Sequence, residues 1–403
     1  MENKFKGRFE SFIPKLLGVL IIFLAGIWVG QSVVLPFGGS RPVLNLTNTQ
    51  TPSNVRVDFA PFWDVWQKAS EEYLDKGKVD PQKLLYGAIS GMVRAIGDPY
   101  TVFLDPDQNQ AFLDNLSGTY EGVGIELGSR EGRLVVIAPL EGTPSEKAGV
   151  RAGDVILAID GEDTSDMTVP EAVQIIRGEA GKKVKLLLQR KGKSPFEIEM
   201  TREKISVKSV RVAIKQDVAV LKLSRFGDNT NTDWDEAVNK VVTGNYKKVI
   251  LDMRNNPGGR LDQSIYIAGE FLPKGAVVLI QEDSKGGRTS LTSNRDGRLR
   301  EVQLIVLINE GSASASEIVA GALRDNKKTK LLGEKTFGKG TIQKVDDFQD
   351  GSGLHITTAK WLTPSGTWVN EKGLSPDVEV KMTEKDFEKG ADPQLARALK
   401  ALQ

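Results

Sequence analysis

The chain has 403 residues, of which 39% are hydrophobic and 27% are charged, a composition that argues against long intrinsic disorder and allows two or three domains. Its 54 basic and 53 acidic residues leave a net charge of +1, which gives no electrostatic basis for nucleic-acid binding. Because the sequence holds no cysteine and one histidine, thiol nucleophiles, disulfides and Cys/His zinc sites are excluded, and no metal or organic cofactor is implied.

An uncharged apolar segment lies near the amino terminus. Residues 16–35 form a run of about 20 uncharged residues, the length needed to cross a hydrocarbon core of ~30 Å. Four basic residues precede the run and the next one is Arg41, so the positive-inside rule places the amino end in the cytoplasm. We therefore predict a single-pass membrane anchor at 16–36, with the rest of the chain outside the cytoplasm. A cleaved signal peptide is the alternative, although such peptides have shorter apolar regions.

The next part of the chain has helical periodicity. A segment rich in Gly, Pro, Ser, Thr and Asn at 37–55 is typical of a linker. From 56 to about 116 apolar residues recur at three- and four-residue spacings, and an aromatic stripe of this kind is usually core. The pair Asp80-Pro81 predicts a helix start, and Gly97-Asp98-Pro99 predicts the end of that helix. The aromatic stripe consists of Phe59, Phe62, Trp63 and Trp66.

Two further patterns follow. Between about 118 and 204 the segments RLVVIAPL, DVILAID, KKVKLLLQR and FEIEM predict short strands, with one helix at PEAVQIIRG. From 205 onward strands and helices alternate, GAVVLIQ among them, which predicts βα units on a largely parallel sheet. Asp392-Pro393 predicts a second helix start in the tail. The expected fold class is an α/β core with a small β-rich domain, an N-terminal helical region and one transmembrane helix.

A serine stands where a predicted strand turns into a helix. The stretch NEGSASASE follows the strand VQLIVLI and precedes the helical run EIVAGAL. This position exposes the hydroxyl of Ser314 at the carboxyl edge of a sheet and directs the N–H groups of the helix towards a developing oxyanion. Ser314 with Glu317 three residues later also fits a capping box, and the two interpretations are compatible.

The stretch GEKTFGKGT resembles a phosphate-binding loop, but Gly340 follows Lys339 where Ser or Thr is needed, and TIQKVDDF alternates like a strand. With Ser314, Lys339 instead offers a Ser-Lys dyad in a chain almost without histidine. A lysine base needs its pKa lowered from about 10.4 towards 7 or 8 by desolvation, which a nearby carboxylate would oppose. Gln343, four residues on and on the same face if the segment is a strand, is expected to orient the amine without adding charge.

Other residues were assigned weaker roles. The stretch LDMRNNPGG ends a predicted strand, and the N–H groups of Gly258 and Gly259 are candidates for an oxyanion hole with that of Ala315; a tight turn is the alternative. Asp325 lies about 16 Å along the helix from Ser314 and is expected to be structural. His355 in LHITTAKW is likewise expected to be structural.

The motifs together resemble the carboxy-terminal processing peptidases, also called tail-specific proteases, which are serine proteases of the S41 type. The resemblance covers about 57–381 and is carried by GMVRAIGDPYTVFL, YEGVGIEL, GTPSEKAGVRAGDVILAIDG, LDMRNNPGG, GSASASE and EKTFGKGTIQ. It implies that Ser314 is the nucleophile, Lys339 the general base and Gln343 its orienting partner. It also implies substrates that are proteins or peptides, and a possible homodimer formed through the helical region 56–116.

Residues 118–204 resemble a PDZ domain. The resemblance implies that a loop of Gly122, Val123, Gly124 and Ile125 presents N–H groups to the terminal carboxylate of a free apolar tail. Arg177, at the end of the domain's helix, is a candidate for carboxylate contact or gating; a helix C-terminal charge is the alternative.

The expected function is therefore a membrane-anchored serine endopeptidase that recognises free C-terminal tails and cleaves through an acyl-enzyme. The alternative is a catalytically silent PDZ adaptor on the same scaffold, which would have no need of an intact Ser314, Lys339 and Gln343. The expected organisation is a cytoplasmic end at 1–15, an anchor at 16–36, a linker at 37–55, a helical region at 56–117, a PDZ domain at 118–204, a protease core at 205–381 and a helical tail at 382–403.

Overall fold

The computed structural model describes residues 56–117, 119–206, 208–389 and 391–403. Within these ranges no helix is both long and apolar enough to cross a membrane. The cytoplasmic end, anchor and linker predicted at 1–55 lie outside the described residues. The chain divides into two compact units, Met1–Lys76 and Gly77–Gln403, which are described separately.

The described part of the first unit contains helix α1 (Ala60–Glu72), which begins with a proline in its first turn. The aromatic stripe expected to be core is not buried there: α1 has no buried residue, and Phe59 and Trp63 are 45% and 43% exposed. The expectation was wrong because an amphipathic helix buries its stripe only against a second layer of structure. The rings contact one another instead, with centroids of Phe62 and Trp63 4.9 Å apart.

The second unit begins with two helices joined by a short strand. Asp80 caps the first helix by accepting the N–H groups of Gln82 and Lys83, which confirms the predicted helix start. The following turn at 97–101 leads directly into the strand. The elements are α2 (Pro81–Arg94), β1 (Val102–Leu104) and α3 (Pro106–Ser117).

A small β-rich domain follows and confirms the strands and the helix predicted there. Its antiparallel sheet has the order β3-β4-β5-β7-β8, so β3 lies at an edge, while β6 pairs with β5 and β2 pairs with β9. Thr168 begins helix α5 as part of a capping box with Glu171. The elements are β2 (Thr119–Gly122), β3 (Ile125–Arg130), β4 (Arg133–Pro139), α4 (Pro144–Lys147), β5 (Val155–Ile159), β6 (Glu162–Asp163), α5 (Val169–Ile176), β7 (Lys183–Gln189), β8 (Phe196–Thr201) and β9 (Glu203–Ser206).

The rest of the unit forms two sheets with helices. The elements in chain order are β10 (Val210–Lys215), β11 (Val218–Leu223), α6 (Thr230–Thr243), β12 (Lys248–Asp252), α7 (Leu261–Gly269), β13 (Val277–Asp283), β14 (Arg288–Thr292), β15 (Gln303–Ile308), α8 (Ala315–Lys327), β16 (Lys330–Gly333), β17 (Thr341–Asp347), β18 (Gly353–Leu362) and β19 (Val378–Glu379). One sheet has the order β10-β11-β12-β15-β16-β19 and is parallel except at β10, which confirms the predicted βα units.

The second sheet differs from the expectation. Strand β13, predicted from GAVVLIQ as part of the parallel sheet, pairs antiparallel with β14 and β18. Strands β1 and β17 also pair with β18, so this sheet joins the residues before the β-rich domain to those after it. An apolar run predicts a buried strand but not its partner, because pairing depends on residues far apart in the chain.

The carboxyl-terminal tail packs on the core. It contains α9 (Glu384–Lys389) and α10 (Pro393–Ala401), and Asp392 caps α10 by accepting the N–H of Leu395, which confirms the predicted helix start. Ala398 and Leu402 are buried against strands of the parallel sheet. Arg254, just after β12, donates to Asp392 at 2.8 Å through two nitrogens. The tail is therefore bonded to the turn that carries the predicted glycine pair.

Replacing Asp392 by alanine is expected to lower the free energy of unfolding by about 2–3 kcal/mol, since it removes a helix cap and two charge-assisted hydrogen bonds. Burial raises the pKa of Asp392, but the hydrogen bonds and charge of Arg254 outweigh it and the pKa is lowered. The stabilisation is therefore present above about pH 4 and is lost as the pH falls. Urea unfolding at pH 7 and at low pH measures it. Glu379→Gln changes an exposed carboxylate and is the control. An equal decrease in its free energy of unfolding would contradict the stabilising role of Asp392.

Candidate active site

Ser314 occupies the turn between strand β15 and helix α8, as predicted. Its φ of 52° is positive, a conformation that costs a non-glycine residue of order 1–3 kcal/mol. The surrounding loop sustains this conformation through hydrogen bonds to the neighbouring turn after β12. The hydroxyl of Ser312 donates to the carbonyl of Met253 at 2.8 Å, and the N–H of Ala313 donates to the carbonyl of Asn256 at 3.0 Å.

Glu317, one turn into α8, is fully buried and connects the serine to the lysine loop. Its Oε2 accepts the N–H of Ser314 at 2.8 Å and the N–H of Lys339 at 2.9 Å. Its Oε1 accepts the hydroxyl of Thr336 and the N–H of Gly338 at 2.5 and 2.8 Å. Desolvation raises the pKa of this carboxyl group against those four donors. One side chain thus fixes the backbone of both members of the predicted dyad.

Lys339 lies in that loop and its pKa is lowered, the direction expected of a lysine base. Desolvation is the largest cause, as predicted. The charges of Glu126, Asp98 and Glu317 all raise the pKa, the opposing effect expected of nearby carboxylates, but burial outweighs them. The amine also lies over an aromatic ring, with Nζ 4.5 Å from the centroid of Tyr100. The fold brings these groups together from four separate segments of the chain.

Gln343 lies in β17 with its amide fixed by two threonines. Its Nε2 donates to the hydroxyls of Thr341 at 2.9 Å and Thr357 at 3.1 Å, which leaves Oε1 as an acceptor. The condition for placing Gln343 and Lys339 on one face of a strand is not met, because β17 begins only at Thr341 and its register shifts between Ile342 and Gln343. Strand alternation therefore does not relate the two side chains.

Of the three predicted oxyanion residues, Gly258 and Ala315 lie beside the serine, whereas Gly259 lies against Phe226. At Gly258, whose φ is +99°, an added Cβ would lie 2.9 Å from the Cβ of Ser314 and 3.0 Å from the nitrogen of Ala315. The N–H of Gly258 itself donates to Oδ1 of Asn256 at 2.9 Å. Ala315 is the first residue of α8, so its N–H has no intrahelical acceptor. Gly259 lies against the carbonyl of Phe226, where an added Cβ would come within 2.1 Å.

The loop predicted to hold a carboxylate lies at the start of edge strand β3. Ser145 bonds to this loop twice. Its hydroxyl donates to the carbonyl of Gly124 at 2.7 Å, and its N–H donates to the carbonyl of Val123 at 2.9 Å. Gly124 has a φ of +77° and an added Cβ would lie 2.3 Å from Thr143, so the position requires glycine. Ile125 begins β3 and is partly buried against the core of the domain.

Arg177 closes helix α5 next to this loop. Its Cγ lies 3.6 Å from where a Cβ at Gly122 would be, and its guanidinium lies 4.4 Å from the ring centroid of Tyr120. The side chain also donates to the carbonyl of Ala111 in α3. These contacts hold the guanidinium between the helical region and the loop, so it does not project as a simple surface charge. Burial lowers the pKa of Arg177.

The β-rich domain packs directly on the catalytic loops. Val135 and Ile137 of β4 form a buried cluster with Ala313, next to the serine, and Phe337, two residues before the lysine. Arg130 donates to the carbonyl of Phe337 at 3.1 Å and lies 4.6 Å from its ring centroid. The β-rich domain and the turn that carries Ser314 therefore share one interface.

The structure gives the surroundings of Asp325 and His355, the two residues expected to be structural. Asp325 accepts the N–H of Ser365 at 2.9 Å, and His355 is 8% exposed and packs on Phe112 with centroids 4.3 Å apart. Burial, with a further contribution from the charge of Lys339, lowers the pKa of His355 to about 4. Sequence reasoning assigned Asp98 to a helix end and gave Tyr100 no role of its own, although both stand in the motif GDPYT.

Comparison with protein families matches three parts of the chain. Residues 217–380 match peptidase family S41, and residues 135–190 match the PDZ domain. Residues 24–108 match the N-terminal domain of the activating protease CtpB.

Similar proteins cover most of the chain. The carboxy-terminal processing protease CtpA of Bacillus subtilis (strain 168) is 32% identical over 371 residues, 92% of this chain and 78% of that protein. The probable CtpA-like serine protease of Staphylococcus haemolyticus (strain JCSC1435) is 35% identical over 94% of this chain and 74% of its own length. The solved structure of a photosystem II D1 C-terminal processing protease has a TM-score of 0.67 at 31% identity, covering 81% of this chain and 94% of that one. The chain therefore belongs to the carboxy-terminal processing proteases, serine-type peptidases of family S41 that carry a PDZ domain.

Proposed function

We propose that this protease is a membrane-anchored endopeptidase that recognises free apolar C-terminal tails and cleaves peptide bonds through an acyl-enzyme on Ser314. Lys339 acts as the general base and Gln343 orients its amine. The observation that carries the proposal is the buried carboxylate of Glu317, one oxygen of which accepts the N–H groups of both Ser314 and Lys339.

The chemistry follows from these positions. Neutral Lys339 takes the proton of Ser314 Oγ as that oxygen attacks the substrate carbonyl, and the resulting ammonium returns the proton to the leaving amine. Water then hydrolyses the acyl-enzyme with Lys339 as base again. The N–H groups of Ala315, Gly258 and Gly259 are proposed to hold the oxyanion. In this role Gly258 exchanges its hydrogen bond to Asn256 for one to the substrate oxygen.

Tail recognition is assigned to the loop Gly122–Ile125. A peptide that pairs with the open edge of β3 would place its terminal carboxylate at this loop, next to Arg177. The proposed domain boundaries are 118–204 for the PDZ domain and 205–381 for the protease core. Recognition and chemistry are then carried by separate domains that share the cluster of Val135, Ile137, Ala313 and Phe337.

Peptide capture is proposed to shift the PDZ domain between a blocking and a permissive position. Such a shift requires that the peptide bind one position more tightly than the other. In this shift the PDZ domain would leave the surface that it now contacts, formed by Ala313 and Phe337. Full cleavage activity in a chain lacking 118–204 would contradict this role.

The anchor and the homodimer complete the proposal. The uncharged run at 16–35 and the basic residues before it support a single-pass anchor with the catalytic part outside the cytoplasm, and membrane fractionation of expressing cells tests it. Exposed Trp63 and Val65 on α1, with Phe59 just before it, support pairing of two copies through the helical region 56–116. Sedimentation of the purified chain tests the dimer.

The full chain is expected to cleave an unstructured peptide with an apolar free tail, and amidation of that tail is expected to lower kcat/KM by about tenfold or more, since a charge-assisted contact is worth ~1.5–3 kcal/mol. Mass spectrometry of the products measures both rates, with Ser314→Ala as the control that forms no product. Equal cleavage of the two peptides would contradict recognition of a free carboxylate.

A further inference from the structure

The turn that follows helix α2 places the aromatic ring of Tyr100 next to Lys339. Nζ of Lys339 lies 4.5 Å from the ring centroid of Tyr100, and the tyrosine is only partly exposed. The roles assigned above to Ser314, Lys339 and Gln343 make no use of this ring. The contact joins a residue before the PDZ domain to one more than 200 positions later in the chain.

Asp98 builds the turn that presents the ring. Its Oδ1 accepts the N–H of Tyr100 at 3.1 Å, and its Oδ2 accepts the hydroxyl of Thr101 at 2.6 Å. The same threonine hydroxyl accepts the N–H of Thr357 at 3.0 Å, and Thr357 in turn accepts the amide of Gln343. The ring and the amide of Gln343 are therefore held by one hydrogen-bonded frame on β18.

The face of an aromatic ring attracts a cation far more than a neutral amine. A lysine base is neutral before proton transfer and becomes an ammonium ion as the serine attacks. The ring face therefore stabilises the state that arises in the transition state more than the resting state, which is the condition for catalysis. Its hydrocarbon surface also contributes to the desolvation that keeps the resting amine neutral.

We propose that Tyr100 is a positioning residue for Lys339, with its ring face fixing the amine and stabilising the ammonium ion formed when Ser314 gives up its proton. The inference rests on the proposed role of Lys339 as the general base. The hydroxyl group of Tyr100 has no part in it, so phenylalanine should substitute.

The other charges at the site come from several elements and stay constant when only the ring is changed. The charges that act on Lys339 are on the α2–β1 turn, β3 and α8, and two further charges act on the tyrosine itself. They are Asp98, Glu126 and Glu317 for the lysine, and Arg130 and Glu371 for Tyr100. His355 on β18 has its pKa lowered to about 4 and is therefore neutral from pH 5 to 10. A change in the pH profile after substitution of Tyr100 is therefore assigned to the ring.

The test compares Tyr100→Leu with Tyr100→Phe in the full chain, with kcat and KM measured on the free-tail peptide from pH 5 to 10. Leucine is expected to lower kcat about tenfold with little change in KM, and to move the acid limb of kcat/KM by about half to one unit towards lower pH. The limb moves in that direction because loss of the ring destabilises the ammonium form. Phenylalanine is expected to keep both values close to those of the wild type.

Two results would overturn the inference: a Tyr100→Leu profile equal to the wild type, or a Tyr100→Phe variant as impaired as leucine. Thermal unfolding shows whether each variant is folded, and Tyr100→Met replaces leucine if that variant is not. Lys339→Ala is measured alongside. If Lys339→Ala keeps full activity, the proposed function fails; if it is inactive while Tyr100→Leu matches the wild type, only the role of the ring fails.

Discussion

Replacing Lys339 by alanine is expected to lower kcat about 10⁴-fold, because the serine hydroxyl then has no base to accept its proton. Single-turnover cleavage of the free-tail peptide measures the loss. Lys339→Arg is expected to be as inactive, since a guanidinium stays protonated at any working pH. The matched control is Lys335→Ala, an exposed lysine in the same loop, which should retain wild-type rates.

The pH dependence of the wild type follows from the same residue. Because burial lowers the pKa of Lys339, the neutral amine is present below the ordinary lysine range, and kcat/KM is expected to rise with pH through the lowered value. Between the lowered pKa of Lys339 in the folded protein and the ordinary lysine pKa of the unfolded chain, the unfolded chain binds the proton more tightly. The free energy of unfolding therefore also rises with pH in this range. An acid limb that is unchanged in Lys339→Ala would show that another group is the base. His355→Ala should leave the limb in place.

Sequence reasoning predicted best the features that depend on local pattern. Ser314 between an apolar strand and a helical run, and the capped helices after Asp80 and Asp392, depend on residues a few positions apart. The roles of Lys339 and Gln343 were argued from the near absence of histidine and from their spacing, the resemblance to a known family implies the same roles, and they remain proposals.

What sequence reasoning missed depends on contacts between distant segments. Asp98 and Tyr100 reach Lys339 only because β1, β17 and β18 lie in one sheet, and no local pattern predicts that pairing. The carboxylate of Glu126 acts on the lysine because the PDZ domain packs on the catalytic loops, which composition and spacing do not show. Tertiary packing therefore sets the electrostatics of Lys339, while local sequence sets the position of Ser314.

Replacing Glu317 by alanine is expected to lower the free energy of unfolding by about 3–5 kcal/mol and kcat by about 100-fold or more. The substitution leaves four donors without their buried acceptor, from Ser314, Thr336, Gly338 and Lys339. It also releases the positive φ of Ser314, so the hydroxyl is no longer held for attack. Urea unfolding and peptide cleavage measure the two effects.

The Glu317→Gln variant keeps the shape of the side chain but loses part of its capacity to accept hydrogen bonds. The amide keeps one oxygen, so one pair of donors must face an NH₂ group instead, and we expect an intermediate loss of activity. Because burial raises the pKa of Glu317, the wild type's stability advantage over Glu317→Gln should be largest at low pH and should narrow as the pH rises through that pKa. The matched control is Glu334→Gln, a half-buried carboxylate in the neighbouring segment that accepts from Gln394 at 3.0 Å. If that control lost as much activity as Glu317→Gln, the loss would reflect general destabilisation of the loop, and the link between nucleophile and base would not be needed to explain it.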